Sequence, residues 1–166
     1  MAFNPLNSSE FIARIGCQKI VEHFGLSRCT LSELNEDGSM AEVFHEYCLT
    51  DFPSFRGRHK TEDFASQKAM ARLGRGEALT INDINDGSIP QDMAANFAQM
   101  QVVANVCAPY LSDGRLKFTL SISKSTAYLW KASEISLVKE LATLLYLRIA
   151  RARAEEELTA SQSILS

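Results

Sequence analysis

Between Trp130 and Leu158 the chain reads WKASEISLVKELATLLYLRIARARAEEEL, a helical stretch with more apolar surface than one core can use. From Leu141 to Ala150 only Thr143 and Arg148 are polar, and a helix apolar nearly all round is buried on more than one side. Winding it at about 100° per residue gathers Val138, Leu141, Ala142, Leu145, Ile149 and Ala152 into one stripe, predicted to face the chain's own core. A second line, Leu137, Glu140, Leu144, Leu147, Arg151, Ala154 and Leu158, advances in alternating steps of three and four. That is the spacing of a seam between paired helices, and it predicts a homodimer joined through this helix. The alternative is one wide helix packed inside a monomer, since apolar crowding of this kind also occurs in ordinary cores.

The 166 residues are enough for one domain with its own core. It is expected over residues 1–160, with the long helix at about 131–160 and a frayed tail at 161–166. A net charge of −3 and an apolar fraction of 46% describe an ordinary soluble chain. Arg and Lys are scattered among acids with no basic block, so no nucleic-acid partner is expected. The absence of a run of about 18 apolar residues and of a signal-peptide pattern at the start predicts no membrane partner and a cytoplasmic location. Cys17, Cys29, Cys48 and Cys107 lie far apart without a CxxC pair, which predicts reduced thiols and no zinc or dithiol motif.

Asn7 and Glu10 have the spacing of a capping box, followed by apolar residues at helical intervals up to Gly25. Leu26–Leu34 and Met40–Leu49 alternate around the turn signal NEDGS and predict a hairpin. DFPSFRGRHKT is predicted to be an irregular aromatic loop covering either a sheet edge or a ligand. Glu62–Leu73 is read as a short helix closed by Gly74, and Glu77–Ile84 as a strand. Ser88, with Pro90 and Gln91 after it, is read as the cap of another short helix. Val102–Leu111 and Arg115–Lys124 predict a second hairpin, whose last strand sets Leu116, Phe118, Leu120 and Ile122 against Lys117, Thr119, Ser121 and Ser123.

This order predicts an α+β fold: an antiparallel sheet of five to six strands with the terminal helices on one face and short helices and loops over the other. Lys117, Thr119, Ser121, Ser123 and Asn105, with Cys107, Tyr47, Phe55 and Phe64, are candidates to line a ligand cavity between the sheet and the irregular middle. A solvated sheet face under a thin cover is the competing reading. An enclosed Lys117 would call for an anionic ligand. No catalytic or metal residue is assigned. His23, His45 and His59 lack metal-site spacing, and Cys48, three residues from His45 on a strand, points to the opposite face. NDINDG lacks the closing Glu of a calcium loop.

FPSFRGRHKTEDF, LTINDIN, VCAPYLSDGRLKFTLSIS and the helix from Trp130 together resemble the GAF domains of bacterial signal-transduction proteins, sensor histidine kinases above all. The resemblance covers about residues 10–158 and implies a GAF/PAS-like fold. It also implies a last helix continuing as a coiled coil into a PAS or kinase module, so the chain is either an isolated sensor or the start of a longer kinase. The bilin-binding branch has a Cys-His pair where this chain has Asp92 and Met93, a first-strand tyrosine where it has Leu31, and a histidine where it has Ser123. No bilin cofactor is expected, and Leu31 joins the pocket candidates on this correspondence. The cyclic-nucleotide pattern is not met by Ser123-Lys124, Trp130 and Glu134-Ile135, and the clustered cysteines of the methionine-sulfoxide-reducing branch are absent. The implied function is sensing of an unknown small molecule or partner, with dimerisation and transmission through the last helix. The alternatives are a small redox or hydrolytic enzyme on the same fold, or a degenerate dimerisation scaffold.

Overall fold

The computed structural model describes residues 8–165. Helix α1 (Ser9–Phe24) is capped by Ser8, whose hydroxyl accepts the Phe11 N–H at 3.0 Å. Glu10 thus stands second in the helix, one place short of the reciprocal bond of a capping box; Asn7, the expected cap, lies outside the described residues. Gly25 ends α1 at φ +63°, a left-handed cap that glycine adopts without strain.

Strands β1 (Arg28–Leu34), β2 (Met40–Cys48), β3 (Gly57–Lys60), β4 (Leu79–Ile81), β5 (Ala104–Ser112) and β6 (Arg115–Lys124) form one sheet in the order β3-β2-β1-β6-β5-β4. Every pairing is antiparallel. The fold is the expected α+β arrangement with six strands. Both long hairpins lie where the alternation put them.

The middle of the chain differs from the sequence reading in four places, the first being that the strand expected over Glu77–Ile84 shortens to β4, Leu79–Ile81. Four of the eleven residues of the supposed loop DFPSFRGRHKT are β3, an edge strand with three charged or titratable residues and no alternation to betray it. The expected helix Glu62–Leu73 divides into a 3₁₀ turn, Thr61–Asp63, and α2 (Gln67–Gly74), because the Ser66 hydroxyl caps a new start on the Ala69 N–H at 3.0 Å. Helix α3 (Gln91–Gln99) begins after Pro90 rather than Ser88. The Ser88 N–H donates instead to Asp86, closing the preceding turn.

One face of the sheet buries Cys29, Leu31, Val106, Leu120 and Ile122 against α1 and α4 (Ala132–Leu165), the long helix. Val138, Ala142, Leu145, Ile149 and Ala152 of the first stripe are buried there and Leu141 is half-buried. The two helices approach closely, since a Cβ on Gly16 would meet Leu145 Cδ1 at 2.7 Å. Segment 161–165, expected to fray, continues α4. A smaller cluster of Ile84, Met93, Phe97 and Val102 packs beneath α3.

Half of a capping box opens α4. Glu134 Oε1 accepts the Lys131 N–H at 2.9 Å, while the Lys131 side chain supplies no oxygen to return the bond. Lys131 also sets a positive charge at the positive end of the helix dipole. Lys131→Thr is therefore expected to stabilise the protein by about 1 kcal/mol. A urea melt checks this, and an unchanged or lowered midpoint would refute it.

A candidate ligand cavity behind the sheet

On the face away from the terminal helices, alternate residues of three adjacent strands make a polar floor. Arg28, Ser123 and Asn105 lie side by side in one row, and Thr30, Ser121 and Cys107 in the next, with Ser32 paired to Thr119 beyond them. Above this floor lies an apolar roof that includes Phe55, Phe64, Met70, Leu73 and Phe97. The cavity, partly open to solvent, measures about 140 Å³. Phe64 holds the roof together, with ring centroids 5.2 Å from Phe55 and 5.1 Å from Phe97. No Asp or Glu lines the cavity among the described residues.

Arg28, only 2% exposed, closes one end. Its Nη2 donates to the Pro53 carbonyl at 2.7 Å and its Nη1 to that of Met100 at 2.9 Å, while Nε lies 3.4 Å from both Glu46 Oε2 and Cys48 Sγ. Glu46 in turn accepts the Phe55 N–H at 2.7 Å and the Ser54 hydroxyl at 3.1 Å. The buried pair thus clamps residues 53–55, which carry the roof's first aromatic ring. A guanidinium has five N–H groups. Two of those on Arg28 have no acceptor among the described residues, and the guanidinium carbon lies 5.6 Å and 5.3 Å from the centres of the Phe52 and Phe55 rings.

Seven of the ten candidates read from the sequence meet here: Phe55, Phe64, Asn105, Cys107, Thr119, Ser121 and Ser123. Leu31 and Tyr47 do not. They lie on the helix side, Leu31 in the core and Tyr47 packed against it, because β1 turns its even-numbered residues to the cavity and β2 follows in register. Lys117 is also excluded. It is the extra residue of a bulge in which Tyr110 pairs with Phe118 and Leu111 with Leu116. The bulge places the Lys117 ammonium 5.5 Å from the Phe118 ring and turns Leu116 to the α2 side, away from the terminal helices. The enclosed cation is Arg28, which the sequence reading passed over. Its signal was its even-numbered place beside Thr30 and Ser32 on a strand whose other face is apolar.

Burial pushes the Cys107 thiol up, against the opposing hydrogen bonds of Ser121 and Thr119. A nucleophilic cysteine needs the reverse shift. All four cysteines are free. No group of three or more His, Cys, Asp or Glu suited to a metal occurs among the described residues, and no helix among them is long and apolar enough to cross a membrane.

Tyr146 joins the cavity floor to α4. Fully buried, it stacks on Phe118 at 4.5 Å between ring centroids and pushes its hydroxyl between β1 and β6. There it receives the Ser32 N–H at 3.1 Å and donates to the Thr119 carbonyl. The same two residues turn their side chains into the cavity. Burial drives the Tyr146 hydroxyl well above its ordinary value, so it stays protonated and keeps both bonds.

These features define an antiparallel α+β domain with a pocket on one side of its sheet and a long exit helix on the other. The chain belongs to the GAF domain family, which it matches over residues 10–149. No curated protein matches its sequence. Among solved structures it is similar to the blue-light-absorbing form of the PixJ GAF domain of Thermosynechococcus elongatus, at 20% identity and TM-score 0.76, over 96% of each chain. It is similar to the third GAF domain of Slr1393 from Synechocystis, in the photoproduct state, at 18% identity and TM-score 0.71, over 92% of this chain and 98% of that one. A phycoerythrobilin-bound GAF domain of a cyanobacterial phytochrome is 16% identical with TM-score 0.75, over 89% of this chain and 88% of that one. At these identities the likeness is one of fold.

Proposed function

We propose that the chain is a non-catalytic sensory and dimerisation module that binds a small amphipathic molecule in the cavity and passes its presence to α4. The observation that carries this reading is Tyr146, whose hydroxyl ties the backbone of two cavity-lining residues to the helix that leaves the domain. A ligand pressing on Ser32 or Thr119 acts on that hydroxyl, and the binding energy can favour one setting of α4 over another.

The cavity also indicates the ligand's character. About 140 Å³ is close to the engineered 150 Å³ cavity that takes up benzene. A ring fits against the aromatic roof, and an acceptor group fits the spare N–H groups of Arg28, the nearby acid Glu46 being already paired to its Nε. The proposed ligand is not a covalently attached bilin. Asp92 and Met93 occupy the start of α3, with Met93 buried beneath it. The cavity is also smaller than the roughly 300–1,000 Å³ of pockets for drug-sized ligands. The bilin of the phycoerythrobilin-bound neighbour is therefore not carried over to this chain.

The seam supplies the output side of the proposal. Leu144, Leu147 and Leu158 are 60%, 52% and 60% exposed. Glu140, Arg151 and Ala154 are exposed beside them, and Leu137 is half-buried. Their spacing suits a parallel pairing with a second copy, and in a longer chain the paired helices would run on into a PAS or kinase module. A cytoplasmic setting belongs to the same reading.

Benzoate is the probe for the test. Its titration into the purified chain, followed by amide NMR, is expected to give saturable shifts at Ser32, Thr119 and Phe64. Sedimentation equilibrium is expected to show a dimer whose dissociation constant changes with benzoate. Ser121→Phe, which fills the cavity, should abolish both effects. Absence of saturable shifts, or identical shifts in Ser121→Phe, would defeat the reading.

A further inference from the structure

A second cavity, of about 190 Å³, lies on the opposite face of the sheet, between the start of α1, β2 and α4. A β-bulge creates it. Leu31 pairs with His45 and Ser32 with Val43, so Phe44 is an extra residue and both Phe44 and His45 turn to the helix side. His45 is 7% exposed, and its Nε2 is the one buried side-chain nitrogen or oxygen without a hydrogen-bond partner among the described residues. Leaving such a group unpaired is costly, and a bound acceptor would relieve it.

The cavity lining brings two guanidinium groups to His45, with Glu156 and Glu33 at its edge on Ser9 and Arg153. Arg56 and Arg153 line the cavity, as do Ser9 and Glu10 in the first turn of the 16-residue α1. In that turn the Ser9 N–H and hydroxyl already donate to the Glu156 carboxylate of α4, at 2.7 Å and 2.9 Å, and the Phe11 N–H donates to the Ser8 hydroxyl, so the side chains and not the helix end would hold an anion. Glu10 is the single acid in the lining, against two guanidinium groups. Arg153 is held only loosely, 3.6 Å from Glu33 and with its guanidinium carbon 4.7 Å from the centre of the Phe44 ring.

We infer that this cavity is a binding site for a small oxyanion, a carboxylate or a phosphate, which accepts from His45 Nε2–H and from the guanidinium groups of Arg56 and Arg153. The site is separate from the ligand cavity behind the sheet and stands whether or not that cavity binds benzoate. Arg153 lies on α4, so an anion here draws directly on the exit helix and gives the domain a second input.

Protonation follows from the same surroundings. Burial, then Arg56, holds His45 below its ordinary value, with Arg14 of α1 acting the same way and Glu10 and Glu46 opposing. The folded chain thus favours neutral His45, and its contribution to stability is present above the unfolded histidine value of about 6.5. That contribution is lost as pH falls below it toward the lowered folded value. A bound oxyanion favours the charged ring and should offset this loss.

The test is long-range ¹H–¹⁵N spectra of the histidine rings in the full chain. Inorganic phosphate and acetate are titrated in parallel against chloride at constant ionic strength, with His23 and His59 as internal references. The expected result is a saturable response confined to His45, with a midpoint of about 1–10 mM, together with a rise in its titration midpoint. The anion that saturates identifies the source as phosphate or carboxylate. Arg153→Gln and Arg56→Gln should each weaken the midpoint at least tenfold. If neither anion saturates the His45 response, or if both variants keep the wild-type midpoint, the cavity holds only water and the inference is overturned.

Discussion

Leu145→Glu should unfold the domain, whereas Leu147→Glu should leave it folded and turn a dimer into monomers. The two residues are neighbours on α4 with opposite surroundings. Leu145 is buried against α1, close enough that its Cδ1 would lie 2.7 Å from a Cβ on Gly16. A carboxylate there has no counter-charge and no room, and burying it unpaired costs several kcal/mol, comparable to the 5–15 kcal/mol of a whole domain. Leu147 is 52% exposed. In a parallel pair of helices its side chain would lie near its symmetry mate, so glutamate at this site sets like charges together in an apolar seam. Leu144→Glu should do the same. Circular dichroism beside sedimentation equilibrium separates the outcomes. A native-like dimer of Leu147→Glu would mean that the second copy uses another face.

Most of the fold was legible because its elements are long and strongly periodic. The stripe Val138, Ala142, Leu145, Ile149 and Ala152 is buried where the 3.6-residue period put it, and β6 sends Phe118, Leu120 and Ile122 to the helices as alternation required. What alternation could not show is where a strand slips. The bulges at Phe44 and Lys117 each add one residue to one strand, and from there every side chain changes face. This is why Lys117 and Leu116 were misplaced. It is also why His45, read as an ordinary histidine, lies beside Phe44 over a second cavity. Arg28 escaped for a different reason. A charged residue opening a strand is usually at the surface, and its partners, Glu46, Pro53 and Met100, come from segments that only the folded sheet brings together.

Arg28→Met should lower stability by about 3–5 kcal/mol, the usual cost of breaking one side of a buried ion pair. The methionine fills much of the same volume but leaves Glu46 without its cation and the carbonyls of Pro53 and Met100 without their donors. The effect should concentrate in the roof. Glu46 positions the Phe55 N–H and the Ser54 hydroxyl, so the Phe55 amide should exchange with solvent much faster than in the parent protein. Removing both charges together, in Arg28→Met/Glu46→Leu, should recover more than half of the loss, since replacing a buried pair by apolar groups is often nearly neutral. Urea melts of the two single variants and the double variant measure the coupling. If the losses simply add, the pair does not clamp the loop. The double variant then separates stability from recognition: with the fold restored but no guanidinium in the cavity, benzoate binding should fall at least about tenfold, equivalent to 1.4 kcal/mol. Unchanged binding in a stable double variant would show that the acceptor end of the ligand lies elsewhere, on the hydroxyl rows of β1 and β6 rather than at Arg28.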